Sequence, residues 1–282
     1  MYRVKKVLNN NTVIGIHVDN NQEYLIMGKG IGFGKKISER FSCRANDTVY
    51  SLQVSSERGD FREMACTIQP VFLEIAGQIL DEAEKVFHPI DRNILFPMAD
   101  HIEFAVKRIR NKEQISNPLT DDIRVLFYME FKTAECIRTI LKEKMDVEIC
   151  DDEISYIALH IHSAIQDEKI SEAMQMAKTV RQCISLVEQK TGRPIDVMSL
   201  SYNRLMNHVR YMIARTLSGE ELKLNMNDYM LVKFPQSFQL AKFICDETGR
   251  SLKRKLSEAE IGYLAMHIER VACDVLGSES VE

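Results

Sequence analysis

Four histidines carry the first chemical signal in this chain of 282 residues. His101 and His208 stand 107 residues apart, and so do His160 and His267. Within each pair the separation is 59 residues. A single histidine beside a helical core is most often a hydrogen-bonded packing residue. Four equivalent ones, in a chain with seven histidines, point instead to a need for imidazole itself, because many residue types fill a neutral packing role. An imidazole that titrates near neutrality can bind a metal, exchange a proton or accept a reversible modification.

The segments that must position these rings repeat with them. Glu153-Ile-Ser-Tyr-Ile-Ala-Leu-His160-Ile161 recurs as Glu260-Ile-Gly-Tyr-Leu-Ala-Met-His267-Ile268. On a helix, Ile154, Ile157, Ala158 and Ile161 form one apolar face, and Glu153, Tyr156 and His160 form a second row beside it. Asp100-His101-Ile102 matches Asn207-His208-Val209, and Phe131, Ala134 and Ile137 match Phe238, Ala241 and Ile244. A period this long predicts two homologous all-α helical-bundle domains, not the short units of a solenoid. In the first, helices are expected over residues 71–85, 100–110 and 123–144, with a loop over 91–98 that carries Pro97. Asp151-Asp152 then caps the helix bearing His160. The second repeats this order from Gly192-Arg-Pro194 onward, with Ser257 opening the helix that bears His267.

Residues 1–53 read differently. Short β-prone runs over 4–8, 12–18, 23–27 and 48–52 are separated by Asn9-Asn10-Asn11, by Asp19-Asn20-Asn21 and by a glycine-rich loop, which predicts a small antiparallel β domain. About fifty residues supply little core, so such a sheet is expected to need a second copy. Residues 51–62 read as a linker or a charged connecting helix. The loop Gly28-Lys-Gly-Ile-Gly-Phe-Gly-Lys-Lys36 fits neither a dinucleotide fingerprint nor a P-loop, because position 33 is Phe and no G-K-[ST] ending follows. It offers a backbone free to approach a partner, three lysines for phosphates and an aromatic ring for stacking on bases. Taken one motif at a time, a solvated turn with a packed Phe and a β-turn of asparagines is the favoured account.

Composition limits the partners. The first 53 residues hold eight basic and four acidic side chains, a balance of +4, and the remainder carries −8. A basic head on an acidic body suits a polyanion. Seven cysteines without a C-x-x-C pair suggest reduced, mostly buried thiols and a cytoplasmic setting. No apolar run reaches membrane length.

The combination of Lys6-Val-Leu-Asn-Asn-Asn11, the glycine-lysine loop and two modules with Asp-His-Ile and Leu-His-Ile histidines resembles the BglG/SacY/LicT family of bacterial transcriptional antiterminators. The loop is most similar to the glucose-type branch. The resemblance spans the chain and implies a co-antiterminator RNA-binding domain over residues 1–55, then phosphotransferase-system regulation domains over 66–169 and 172–282. It further implies a homodimer that binds a leader-mRNA hairpin of a sugar operon and so prevents termination. RNA contact would fall to Lys6, Asn9, Asn10, Asn11, Gly28, Lys29, Gly30, Phe33 and Lys35. Lys29 stands where relatives often carry Arg. His101, His160, His208 and His267 match the family's phosphorylation sites, served by the phosphocarrier HPr and a sugar-specific enzyme II. His208 follows Asn where the family pattern has Asp. No cofactor or metal is implied.

Two other classes compete. A hydrolase built on His160-Ile161-His162 would need both rings on one metal, and on a helix they point about 200° apart. A DNA-binding activator carrying the same regulation domains would need a helix-turn-helix at its front, where the alternation reads as strand.

Overall fold

The computed structural model describes residues 1–282 apart from 53, 54, 57, 58, 114, 167, 168, 193, 194, 196–198 and 278–282. The chain forms two compact units, residues 1–120 with 127–170, and residues 121–126 with 171–282.

The first unit opens with an antiparallel sheet: β1 (Tyr2–Asn9), β2 (Thr12–His17), β3 (Glu23–Met27), β4 (Arg40–Phe41) and β5 (Thr48–Ser51), in spatial order β4-β1-β2-β3-β5. Asn10 and Asn11 make the tight turn between β1 and β2, with Asn9 paired to Thr12. Val4, Val13, Ile26, Ile31 and Phe41 pack as the small core of this sheet. Part of the cover expected from a second copy comes from the chain itself. Tyr50 on β5 is buried against Phe96, and its hydroxyl accepts from both Nε and Nη2 of Arg92. Phe61 stacks on the same Phe96 at 4.8 Å.

Within the stretch taken as a linker, a two-stranded ribbon forms from β6 (Ser55–Ser56) and β7 (Gly59–Asp60), and residues 53, 54, 57 and 58 lie outside the described set. Helix α1 (Phe61–Thr67) follows, then α2 (Pro70–Phe87). Pro70 occupies the first turn of α2, where its missing N–H costs nothing, and Phe72, Ile75, Ala76, Ile79, Leu80 and Ala83 form its buried stripe.

The expected loop over 91–98 is mostly helical. Asp91 accepts from Asn93 N to cap a 3-10 turn (Arg92–Ile94), and α3 (Leu95–Arg110) starts directly after it. Pro97 sits in the first turn of α3, where proline is tolerated. The single helix expected over 123–144 is instead α4 (Thr120–Leu126), α5 (Tyr128–Ala134) and α6 (Cys136–Met145). The break falls at Phe127 (φ −119°, ψ 48°), whose buried ring lies 4.3 Å from that of His162. Helix α7 (Asp151–Gln166) carries His160, with three acidic residues in its first turn to suit the helix dipole.

The second unit contains α8 (Ile170–Thr191), α9 (Leu200–Ser218), α10 (Asn227–Lys233), α11 (Pro235–Leu252) and α12 (Ala259–Gly277). Of the expected lead-in Gly192-Arg-Pro194, the last two residues lie outside the described set. Ser199 caps α9 by accepting from Tyr202 N, and Gly219 closes it in the left-handed region (φ 76°). The duplication is visible element by element: α10 begins and ends 107 residues after α4, and α11 covers the positions of α5 and α6 together. Phe234 breaks the chain where Phe127 does, with φ −138° and ψ 63°. The six described thiols are free, but the expectation that most are buried fails among them: Cys183 and Cys245 are buried, while Cys66 and Cys150 are exposed. Among the described residues no helix is long and apolar enough to cross a membrane.

Candidate functional site

Each module brings its two repeated histidines together. His101 on α3 meets His160 on α7 with ring centroids 5.6 Å apart, and Tyr156 lies 5.4 Å from His101. His208 on α9 stacks on His267 of α12 at 4.6 Å, with Tyr263 at 6.4 Å. The row Glu-Tyr-His read from the repeated nonapeptide therefore faces the earlier histidine of its module, on α3 in the first and α9 in the second.

One arginine completes each cluster, and the sequence reading passed both over. Arg108 donates three hydrogen bonds to the Glu153 carboxylate at 2.8–3.0 Å. Arg215 donates two to Glu260 at 2.7 and 2.9 Å. The signal was present: the arginines share the 107-residue offset and follow His101 and His208 by seven residues, two helical turns on the same face. Each clamped carboxylate lies beside a ring. Glu153 Oε2 is 3.2 Å from His101 Nε2, within ion-pair reach but off the line of a straight hydrogen bond, and Glu260 Oε2 is 3.9 Å from His208 Nε2.

Electrostatics keep the second pair uncharged. Burial pushes His208 down to about 3, and His267 and Arg215 add to the effect. Burial also lowers His267, with Arg270 and Arg204 contributing. Both rings are neutral at physiological pH and keep a nucleophilic lone pair. Burial works against ionisation of Glu153, yet His101 and Arg108 beside it hold its carboxyl below the usual range.

The rings are less open than an exposed phosphoryl acceptor would be. His160 is 6% exposed, and the side chains of His208 and His101 are 9% and 19% exposed. A buried ring nitrogen recurs at matching positions in both modules: Nε2 of His101 and His208, and Nδ1 of His160 and His267.

His162 is not part of this cluster. Its Nδ1 lies 2.9 Å from Glu130 Oε1, tying α7 to α5. At the equivalent positions Ser237 Oγ donates to Glu269 at 2.6 Å, so the polar link persists with its partners changed. Helix α7 thus sends His160 and His162 to different neighbours, and the two form no metal pair.

In the head, the asparagine turn and the glycine loop are one structure. The Asn11 carbonyl accepts from Gly28 N at 2.9 Å, its side-chain oxygen accepts from Gly30 N at 2.8 Å, and the Asn10 carbonyl accepts from Gly32 N at 2.9 Å. The tightest glycine approaches serve this assembly and not an outside partner: a Cβ on Gly28 would collide with Asp47, and one on Gly32 would lie 2.2 Å from the Asn9 carbonyl oxygen. Gly30 supplies a left-handed turn (φ 70°). Phe33 is not a packed ring, being 75% exposed, and Ile31 is the loop residue that enters the core. Lys6, Asn10 and Lys29 are exposed around it, while Lys35 is engaged with Glu39. Arg44, not singled out in the sequence, donates to the Lys29 carbonyl and brings another cation to the loop. Asn9 and Asn11 point their amides at a carboxylate of the first helical module: Asn9 Nδ2 donates to Glu74 Oε1 at 2.7 Å, and Asn11 Nδ2 lies 3.4 Å from both oxygens.

Comparison with known proteins accounts for all three parts. The CAT RNA binding domain family matches residues 2–58, and the PRD domain family matches residues 77–164 and 181–271. The chain is 30% identical over 276 residues to Protein GlcT of Staphylococcus saprophyticus, covering 95% of this chain and 96% of that one. It is 28% identical over 273 residues to the GlcA/glcB genes antiterminator of Staphylococcus carnosus, covering 95% and 94%. A crystal structure of GlcT CAT-PRDI superposes with a TM-score of 0.51 at 29% identity, over 58% of this chain and 98% of that one. These matches are to regulators, and the β head in place of a helix-turn-helix agrees with them. The chain belongs to the BglG/SacY family of RNA-binding transcriptional antiterminators, in its glucose-type branch, with a CAT RNA-binding domain followed by two PRD domains that regulate it.

Proposed function

We propose that this protein binds a hairpin in the leader mRNA of a glucose-type sugar operon as a homodimer, blocks the overlapping terminator, and is switched by phosphorylation of His101, His160, His208 and His267. In this reading residues 1–55 hold the RNA, and residues 66–169 and 172–282 are the regulation domains. Lys6, Asn9, Asn10, Asn11, Gly28, Lys29, Gly30, Phe33 and Lys35 contribute to the RNA surface, with HPr and a sugar-specific enzyme II of the cytoplasmic phosphotransfer chain as phosphoryl donors. The protein acts as a regulator, not as an enzyme. The observation that carries the RNA reading is the knitting of asparagine turn to glycine loop, which leaves an aromatic ring and lysines in solvent on a basic head. Unstacked bases are recognised by such rings, and phosphates by such cations. For the regulatory half, the support is two pairs of facing imidazoles, the second neutral, each beside an arginine-clamped carboxylate.

Gel shifts of the full chain with leader RNA and with promoter DNA test the first half. Retention of the RNA alone is the expected result, and a preference for DNA would favour the activator reading. Incubation with phosphoenolpyruvate, enzyme I, HPr and the cognate enzyme II tests the second. Acid-labile phosphate should appear on some of the four histidines and not on His17, His88 or His162, and label on none of the four would remove the regulatory reading.

A further inference from the structure

The two histidines of a module are not presented alike. On α3 and α9 Nε2 is buried, and on α7 and α12 Nδ1 is buried. The enclosed Nε2 of His101 and of His208 also faces a carboxylate, Glu153 at 3.2 Å and Glu260 at 3.9 Å. Each carboxylate is fixed in place by an arginine that occupies both of its oxygens.

Resting on the phosphorylation reading above, we infer that Glu153 and Glu260 are positioning residues that keep the proton of His101 and His208 on Nε2, so that both accept a phosphoryl group on Nδ1, whereas His160 and His267 accept it on Nε2. A neutral imidazole carries its proton on one nitrogen and its lone pair on the other, and a neighbouring carboxylate favours the tautomer that points N–H toward it. The lone pair then lies on the opposite edge of the ring. Access gives the same answer, because a phosphoryl group in transfer needs its attacking and leaving atoms in line and cannot be delivered to a nitrogen enclosed by protein. A carboxylate within 4 Å of Nε2 would further repel the incoming anion there.

The transfer balances. The donor is a protonated phosphohistidine: its P–N bond breaks as the bond from phosphorus to Nδ1 forms, and the donor leaves as a neutral imidazole that keeps its own N–H. The acceptor becomes an N-phosphoryl imidazolium with its proton still on Nε2. The positive charge that develops on the ring lies beside Glu153 or Glu260, so the carboxylate that orients the ring also stabilises its reacting form. Arg108 and Arg215 prevent that carboxylate from turning away.

The full chain, labelled with 15N-histidine, tests this in two independent ways. Without any donor, histidine 15N shifts report the tautomer, and Nε2–H is expected at His101 and His208. Nδ1–H at these two overturns the proposal whether or not phosphorylation occurs. With phosphoenolpyruvate, enzyme I, HPr and enzyme II, digestion at alkaline pH and isomer-specific detection should give 1-phosphohistidine in peptides containing His101 or His208, and 3-phosphohistidine in those containing His160 or His267. The 3-isomer at His101 or His208 overturns the inference while leaving the phosphorylation reading intact, and no label on any of the four overturns both. Glu260→Gln, with folding checked by circular dichroism, should slow labelling of His208 by about a hundredfold, the lower end of what a positioned proton-handling group contributes, and mix the two tautomers of His208 in the donor-free 15N shifts. Glu260→Asp should restore the single tautomer. A slower reaction with an unchanged His208 tautomer in Glu260→Gln would leave Glu260 a merely structural role and refute its positioning.

Discussion

Glu74 presents a direct test of how the head and the first helical module share the RNA-binding surface. Its carboxylate accepts from Asn9 Nδ2 at 2.7 Å and draws Asn11 Nδ2 to 3.4 Å, so two of the proposed RNA-contacting amides are already occupied. RNA that uses those amides must displace Glu74. A hydrogen bond to a charged group contributes about 1.5–3 kcal/mol net, and the half-exposed setting places this one near 1.5. The two longer contacts add little. A phosphate arriving about 8 Å from the carboxylate in high dielectric meets a further repulsion of about 0.5 kcal/mol. Removing both effects with Glu74→Ala should strengthen leader-RNA binding by about 2 kcal/mol, roughly thirtyfold in Kd. Glu74→Gln keeps an acceptor oxygen and should gain only about fivefold. Fluorescence anisotropy of the full chain with a labelled hairpin at fixed salt measures both. The control is Glu82→Ala, which removes a charge from the same helix at an exposed position paired with Lys85. Unchanged or weaker RNA binding in Glu74→Ala, or an equal gain from Glu82→Ala, would refute the competition.

Other expectations concern the head and the second module. Phe33→Ala should weaken RNA binding by about 1–3 kcal/mol without unfolding the sheet, because Ile31 and not Phe33 supplies the loop's core contact. Lys29→Ala should reduce the salt slope of binding by close to one, as measured from Kd against salt concentration. The depressed His208 gives the stability of the second module an acid limb. Below its ordinary value near 6.5 the unfolded chain takes up a proton that the folded ring refuses until about 3, so stability is full above pH 6.5 and falls as pH drops through that window. The loss is on the order of 5 kcal/mol by pH 3, about 3 of it above pH 4, and urea denaturation of His208→Asn across pH 4–7 should show a flatter profile than the unsubstituted chain.

Local apolar spacing gave the helices and the strand character of the head, and the 107-residue repeat matched the histidines of one module to those of the other. What it missed has physical reasons. No proline or glycine marks the break at Phe127 in the first module, where a buried ring packs on His162. In the second module Pro235 announces the same break. Pro97 argued for a loop, and the capped turn before α3 turned it into a helix-start residue. Arg108 and Arg215 were hidden among ordinary helical charges, because their role depends on a carboxylate 45 residues away in sequence. Glu74 was invisible for the same reason: nothing local distinguishes a solvated helix glutamate from one that reaches the asparagine turn.

The route from the proposed modification at His101 to the proposed RNA surface in the first unit is short. Helix α3 carries His101 five residues after Phe96, and Phe96 packs on Tyr50 and Phe61 of the head side. Helix α2, which carries Glu74 to the asparagines, also carries Asp81 and Glu84, both bound to Arg92 in the turn that leads into α3. Arg92 in turn holds the Tyr50 hydroxyl. A charge change at His101 therefore acts on a helix whose first turn touches the head through Tyr50 and whose neighbour holds the amides proposed to contact RNA. Spatial continuity of this kind is not coupling, and a double-mutant cycle decides between them. His101→Asp places a permanent anion beside Glu153, where like charge opposes the packing of α3 on α7. If that strain is relayed to the head through α2, its effect on RNA affinity in the full chain should shrink by more than half once Glu74→Ala has removed the masking carboxylate. Additive effects of the two substitutions, within about 0.5 kcal/mol, would mean that the first histidine pair reaches the RNA by another path.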